Sequence, residues 1–275
     1  MRRHISVVMV LGVAVHAAAQ GPAFEVASVR LNTSGPGSPF IRRLPGAGLE
    51  VGNVSLRDLI MYAYSVQRYR LIGAPGWIAN ERFDISARAG RELPPTPPGG
   101  IAVETLMLRG LLADRFSLAV RWETRELPIY ALVLARGDGR LGPQLRRSEV
   151  DCETMQRAAA AAGQPSPSVG SEIRPVCGTR QGPGSRVAGG MPMSSFPDFL
   201  AGLVQRTVVD RTGLTGLWDM DLTFAPDSGP GAGPADTTSP SLFTALQEQL
   251  GLRLESTTGP VEVVVIERVE RPTPD

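Results

Sequence analysis

The sequence predicts a mixed α+β fold made of two related helix-strand-helix-strand-strand units, an internal duplication, with a disulfide-stapled insert between them. Three observations predict it. Apolar residues at helical spacing alternate along the chain with short strand-like runs. The same features occur twice in the same order, and both cysteines lie in the Gly/Pro-rich stretch that separates the two series. The boundaries that follow are a leader at residues 1–19, a first unit at 20–140, an insert at 141–183 and a second unit at 184–275.

The chain opens with the basic Met1-Arg2-Arg3-His4, an apolar run from Ile5 to Val15, and Ala17-Ala18-Ala19 before Gln20. This is the layout of a secretory signal cleaved between Ala19 and Gln20; an uncleaved anchor is the other reading. The apolar run is shorter than the roughly 20 residues that span a bilayer as a helix, and no later stretch is long and apolar enough. The expected location is therefore the periplasm or the outside of the cell. The extra strand Phe24-Glu25-Val26-Ala27-Ser28-Val29 follows.

In the first unit, Ser55 precedes Leu56-Arg57-Asp58-Leu59-Ile60, and Leu56, Leu59, Ile60 and Ala63 fall on one helical face. In the second, Ser195 precedes Phe196-Pro197-Asp198-Phe199-Leu200, with Phe196, Phe199, Leu200 and Leu203 on the matching face. Each Ser is placed to cap its helix, and Asp58 or Asp198 stands near the positive end of the dipole. A glycine turn and an aromatic-Asp strand come next: Gly76-Trp77 before Phe83-Asp84-Ile85-Ser86, and Gly213-Leu214 before Trp218-Asp219-Met220-Asp221-Leu222. The second helices carry Leu108, Leu111, Leu112 and Phe116 in one unit and Leu242, Ala245, Leu246 and Leu250 in the other, the latter started by Ser239 and Pro240. Two paired strands are expected to close each unit. They are 116–120 turning into 129–134, and 250–254 turning into 261–266.

In the insert, Met155 to Ala162 reads as a short helix. Cys152 and Cys177 form an even pair in an exported chain, which reads as one disulfide; two buried free thiols are the alternative. Pro226 to Thr238 is turn chemistry, and the tail from Arg271 to Asp275 is a frayed end.

Composition excludes more than it assigns. The chain has 28 basic and 27 acidic residues, and cleavage would remove two of the former and none of the latter. Near-neutral charge argues against nucleic acid or an anionic membrane surface as partner. His4 and His16 are the only histidines, both inside the leader, and every basic side chain is Arg rather than Lys. Catalytic sites built on His or Lys, Schiff-base chemistry and histidine-ligated zinc are thereby excluded from the mature chain. Arg does not substitute, because it stays protonated.

What remains is chemistry resting on carboxylates, on Tyr or on a bound oxygen-ligated metal. Val208-Val209-Asp210-Arg211-Thr212-Gly213 faintly resembles an aspartic-protease signature, but Arg211 breaks it and a β-turn is the plainer reading. Asp84, Glu123, Glu126, Asp219 and Asp221 are candidates for the two carboxylates of a glycosidase, which stand about 5–10 Å apart. No phosphate-loop or dinucleotide spacing occurs, since Arg136-Gly137-Asp138-Gly139 is a turn. Trp77, Trp122 and Trp218 are the groove-lining candidates, with Trp218 assigned to core packing because it takes the place of Phe83.

Six segments together carry a family resemblance: 24–29, Leu71-Ile72-Gly73-Ala74-Pro75-Gly76-Trp77, Phe83-Asp84-Ile85, Leu112-Ala113-Asp114-Arg115-Phe116, Asp210-Arg211-Thr212-Gly213-Leu214 and the ending 260–272. They resemble an uncharacterised soil-associated family of exported bacterial proteins, a domain of unknown function. In some relatives a similar domain is attached to BlaR/MecR-type membrane metallopeptidases, which implies ligand or protein sensing without implying peptidase activity here. The helix-then-strands units also look loosely like the short modules at the N-termini of secretins and TonB-dependent receptors, an analogy of fold alone. The resulting expectation is an exported, non-enzymatic binding, interaction or sensing module. Its ligand would be an unknown protein, peptide or glycan of the cell envelope, with no cofactor and no metal. The alternative is a carboxylate-dependent hydrolase acting on polysaccharide outside the cytoplasm.

Overall fold

The computed structural model describes residues 22–35, 37–90, 93, 100–162, 177–226 and 239–272. The leader with its cleavage site at Ala19 and Gln20, most of the turn-rich stretch 226–238 and the last three residues of the tail lie outside them. The described residues form two compact units drawn from interleaved segments. The first takes its residues from Met1–Val66, Leu71–Trp122 and Val264–Asp275, the second from Gln67–Arg70 and Glu123–Val263. The class is the mixed α+β one expected.

The first unit begins with β1 (Val26–Leu31), β2 (Phe40–Leu44), β3 (Gly48–Ser55) and α1 (Leu56–Tyr64). Then come β4 (Leu71–Ile72), α2 (Trp77–Asn80), β5 (Arg82–Arg88) and α3 (Val103–Phe116). An antiparallel sheet has the order β1-β5-β3-β2. The predicted stripe of α1 is fully buried at Leu56, Leu59, Ile60 and Ala63. It packs on α3, whose Leu108, Leu111, Leu112 and Phe116 join Phe83 and Ile85 in one core. Phe83 meets Phe116 edge to face, with ring centres 5.1 Å apart. Ser55 caps α1 as expected: its Oγ accepts the Asp58 N–H at 3.1 Å and donates to the Asp58 carboxylate at 2.6 Å. At the other end, Arg109 Nε donates to the Ala63 carbonyl, satisfying one of the last orphan acceptors of α1.

The two closing strands of each unit prove to be one. β6 (Ala119–Leu134) and β12 (Leu252–Arg268) are continuous strands of 16 and 17 residues. The turns expected between 120 and 129 and between 254 and 261 hold Pro128 and Gly259-Pro260. A proline's fixed φ also suits extended chain, and Gly259 has no positive φ. Its missing side chain instead makes room for Ile129, whose Cδ1 would lie 2.6 Å from a Cβ there. Both strands contribute to both units, residues 119–122 and 264–268 to the first and 123–134 and 252–263 to the second. In the first unit β4 pairs in parallel with Val264 and Val265 of β12.

The second unit adds β7 (Leu145–Arg147), α4 (Cys152–Ala161), β8 (Gly178–Gly182), β9 (Ser185–Pro192) and α5 (Phe196–Val204). After these come β10 (Val208–Asp210), β11 (Leu217–Thr223) and α6 (Leu242–Ala245), which runs into one turn of π-helix at Leu246–Leu250. The sheet order is β7-β11-β9-β8, and β10 pairs in parallel with Tyr130, Ala131 and Leu132 of β6. The stretch 141–183 thus supplies the two edge strands of this sheet as well as α4. The core is built from Phe196, Leu200, Trp218, Met220, Leu222, Leu246, Leu250 and Leu252. Cys152 and Cys177 are joined in a disulfide with Cα atoms 5.6 Å apart.

Two capping expectations are corrected. Ser195 does not cap α5. It ends a 3-10 turn (Met193–Ser195) in right-handed helical geometry, which directs its Oγ back to the Pro192 carbonyl at 2.8 Å. Nor do Ser239 and Pro240 start the last helix: Ser241 caps it, its Oγ accepting the Thr244 N–H.

A candidate ligand groove in the second unit

The aromatic-Asp signature turns out to be structural in both units. In each sheet a β-bulge interrupts the register, between Val51 and Val54 in the first and between Trp218 and Met220 in the second. One residue of each bulged strand takes a positive φ, +54° at Asn53 and +58° at Gly190. The backbone N–H of each donates to the signature aspartate at 2.9 Å, Asn53 to Asp84 and Gly190 to Asp219. Asp84 also accepts two 2.9 Å bonds from the Asn32 amide. These carboxylates hold a strained turn that would otherwise leave a half-buried donor unpaired.

Two other carboxylates, those of Asp210 and Glu123, are similarly engaged. Asp210 Oδ1 accepts from the Thr212 amide and hydroxyl, both at 2.8 Å, an Asx turn where the sequence reads as a β-turn. Glu123 pairs with Arg125 at 2.7 Å, and Asp219 and Asp221 stand side by side on one face of β11 rather than across a cleft. Among the described residues no three acidic or cysteine side chains cluster closely enough to hold a metal ion.

The sequence reading missed a groove of about 830 Å³ in the second unit. One wall is the outer side of α5, through Phe199, Leu203, Val204 and Gln205. The opposite side comes from Tyr130 on β6 and from Ser241, Leu242 and Phe243 at the start of α6. Gln181, the β8–β9 turn at 182–185 and the segment 224–226 complete it. Tyr130 meets Phe243 edge-on at 5.8 Å. The rim is fixed where Phe224 N–H donates to the Gly184 carbonyl at 2.8 Å. Gly184 has φ +66°, and a Cβ there would fall 2.3 Å from the Phe224 carbonyl oxygen, so only glycine permits this approach. No tryptophan lines the groove; Trp218 is buried in the core, and Arg147 lies over its ring at 5.4 Å.

Its origin can be read from the helices. Matching Ser55 to Ser195 sets Leu59 against Phe199 and Ala63 against Leu203. The first pair member is fully buried in each case, whereas Phe199 and Leu203 remain half-buried. Matching Phe116 to Leu250 sets Leu108 against Leu242. α3 continues N-terminally through Val103–Met107, with Met107 buried, whereas the second unit's helix begins at Leu242. The second unit's helix is about a turn and a half shorter at that end, and its first residues line the groove beside α5. Ligand-sized grooves of this kind are mostly apolar, of about 300–1,000 Å³, with a few polar groups for orientation.

Fold and site together define an α+β protein that carries one disulfide and a ligand-sized aromatic groove. The sequence model of the family described as "Protein of unknown function (DUF3738)" matches residues 57–269, most of the chain, and the protein belongs to that family. Comparison with curated proteins gave no match, nor did comparison with solved structures.

Proposed function

We propose that this protein is an exported, non-catalytic binding module, with its ligand seated in the second unit's groove. The observation that carries the reading is the groove's chemistry. Among the described residues it is walled by Tyr130, Phe199, Leu203, Leu242 and Phe243, with no Asp, Glu, His, Cys or Lys among those that line it. Such a wall holds an apolar ligand and offers no carboxylate for acid–base work. Export is supported by the leader-like residues 1–19 with their Ala19–Gln20 junction and by the disulfide, which favours an oxidising compartment. No helix among the described residues is long and apolar enough to cross a membrane. The resemblance to soil-associated exported proteins, some attached to BlaR/MecR-type peptidases, supports sensing of a peptide, protein or glycan ligand. We also read the two units as copies of one ancestral module, on the strength of their common element series and their matching Asp84 and Asp219 bulges. In this reading one copy kept its helix face closed and the other opened it.

The test is fluorescence titration of the chain from Gln20 onward with N-phenyl-1-naphthylamine, a neutral apolar dye. Saturable binding that Leu203→Asp abolishes, with an unchanged circular dichroism spectrum, is expected. No binding, or binding indifferent to that substitution, refutes the groove as the site.

A further inference from the structure

The cationic groups beside the groove narrow the class of ligand, an inference that rests on the groove reading above. Arg186 on β9 lays its guanidinium over Phe199, 4.3 Å from the ring centre. Its Nη1 donates to Gln181 Oε1 at 2.7 Å, and Gln181 itself lines the groove. Its Nε is buried and has no hydrogen-bond partner among the described residues. Arg206, just past the C-terminus of α5, lies over the Tyr130 ring at 4.7 Å; the two arginines stand behind groove aromatics rather than among the lining residues. Among the described residues neither arginine forms an ion pair and no acidic side chain lines the groove.

Some arginines of the second unit find carboxylates, as Arg125 does with Glu123 and Arg253 with Glu255, while Arg147, over the Trp218 ring, forms no ion pair among the described residues. A guanidinium held on an aromatic face, with a buried donor left over, is an incomplete site. Burial also lowers the Arg186 pKa, so its surroundings do not offset the loss of water around the charge. An anion beside the ring supplies the missing acceptor and the missing countercharge together. An apolar neutral ligand supplies neither.

We infer that the groove takes a small amphiphile with a planar apolar body and one anionic group, the body between Phe199, Tyr130 and Phe243 and the anion toward Arg186 and Arg206. The groove's size fits a small molecule of this kind.

Two dyes with one skeleton test it. N-phenyl-1-naphthylamine is neutral, and 8-anilinonaphthalene-1-sulfonate differs from it by the sulfonate. Both are titrated into the disulfide-intact chain at low salt. The sulfonated dye is expected to bind at least about tenfold more tightly, the ratio set by one net charge-assisted hydrogen bond. That advantage should shrink as salt is raised and should fall to about twofold or less in Arg186→Gln or Arg206→Gln, while the neutral dye's affinity stays within about twofold. Arg206 forms no hydrogen bond or ion pair among the described residues and touches the groove only through the Tyr130 ring, so the neutral dye, which reports groove integrity in both variants, separates loss of charge from loss of packing. Equal affinity for the two dyes, or a sulfonate preference that survives both substitutions, overturns the anion assignment and leaves the apolar groove standing. Failure of both dyes to bind overturns the groove reading as well.

Discussion

Removing the disulfide should destabilise the second unit by about 3–4 kcal/mol. Cys152 and Cys177 are 25 residues apart. For a closed loop of that length the chain-entropy relation gives a loss of about 12 cal/mol/K from the unfolded ensemble, or about 3.5 kcal/mol at 25 °C. Neither sulfur sits in open solvent: Cys177 is 2% and Cys152 9% exposed, and Cys152 Sγ approaches the Gly189 carbonyl at 3.9 Å. Replacing both with Ser therefore adds a burial cost that chemical reduction avoids, and the two perturbations bracket the entropic part. The assay is urea unfolding followed by tryptophan fluorescence. Trp218 is 4% exposed within this unit and changes environment on unfolding. With a slope of about 2–3 kcal/mol/M, the midpoint should fall by about 1–2 M on reduction. A fall below about 0.3 M at unchanged slope would refute the reasoning. It would mean that the unfolded chain gains little freedom when the bond is opened.

Other predictions concern single residues. Gly190→Ala should cost about 2–3 kcal/mol, because its φ is +58° and the new Cβ would lie 2.2 Å from Cys152 Sγ, a sulfur that the disulfide holds in place. In the reduced protein the cost should drop toward the backbone part alone, about 1 kcal/mol, as a thermodynamic cycle of urea midpoints can check. Ser55→Ala should lose about 1–2 kcal/mol with its cap, whereas Ser195→Ala should change stability by less than about 0.5 kcal/mol, since Ser195 caps nothing. Desolvation raises the pKa of both Tyr64 and Tyr69 above 10.0. The folded chain therefore retains their protons where the unfolded chain releases them, and their contribution is complete below pH 10 and lost as pH rises through the folded values. Urea midpoints should decline above about pH 10 and decline less in Tyr64→Phe and Tyr69→Phe; a slope identical to wild type in both would contradict the assignment.

Periodicity made most of the fold legible. Leu56, Leu59, Ile60 and Ala63 are buried together because a helix repeats every 3.6 residues and one face must leave water, and that pattern is written in the chain. The same holds for Leu108, Leu111, Leu112 and Phe116. Turn residues were less reliable guides. Gly259-Pro260 signals a break by composition, yet it lies within β12, where the glycine answers a close approach by Ile129 from another strand. Asp84 and Asp219 stand out in the sequence, but each is used up by a backbone N–H at a bulge.

The chain by itself determined which side chains are available for chemistry, which helix faces seek cover, and that two cysteines stand ready to pair. These are properties of composition and local spacing, and they need no partner to be read. Only the tertiary structure decided that Phe199 and Leu203 would wall a groove while the matching Leu59 and Ala63 lie buried. That difference depends on where the covering helix begins in space, and a hydrophobic stripe records that a face is apolar without recording how much of it another element reaches.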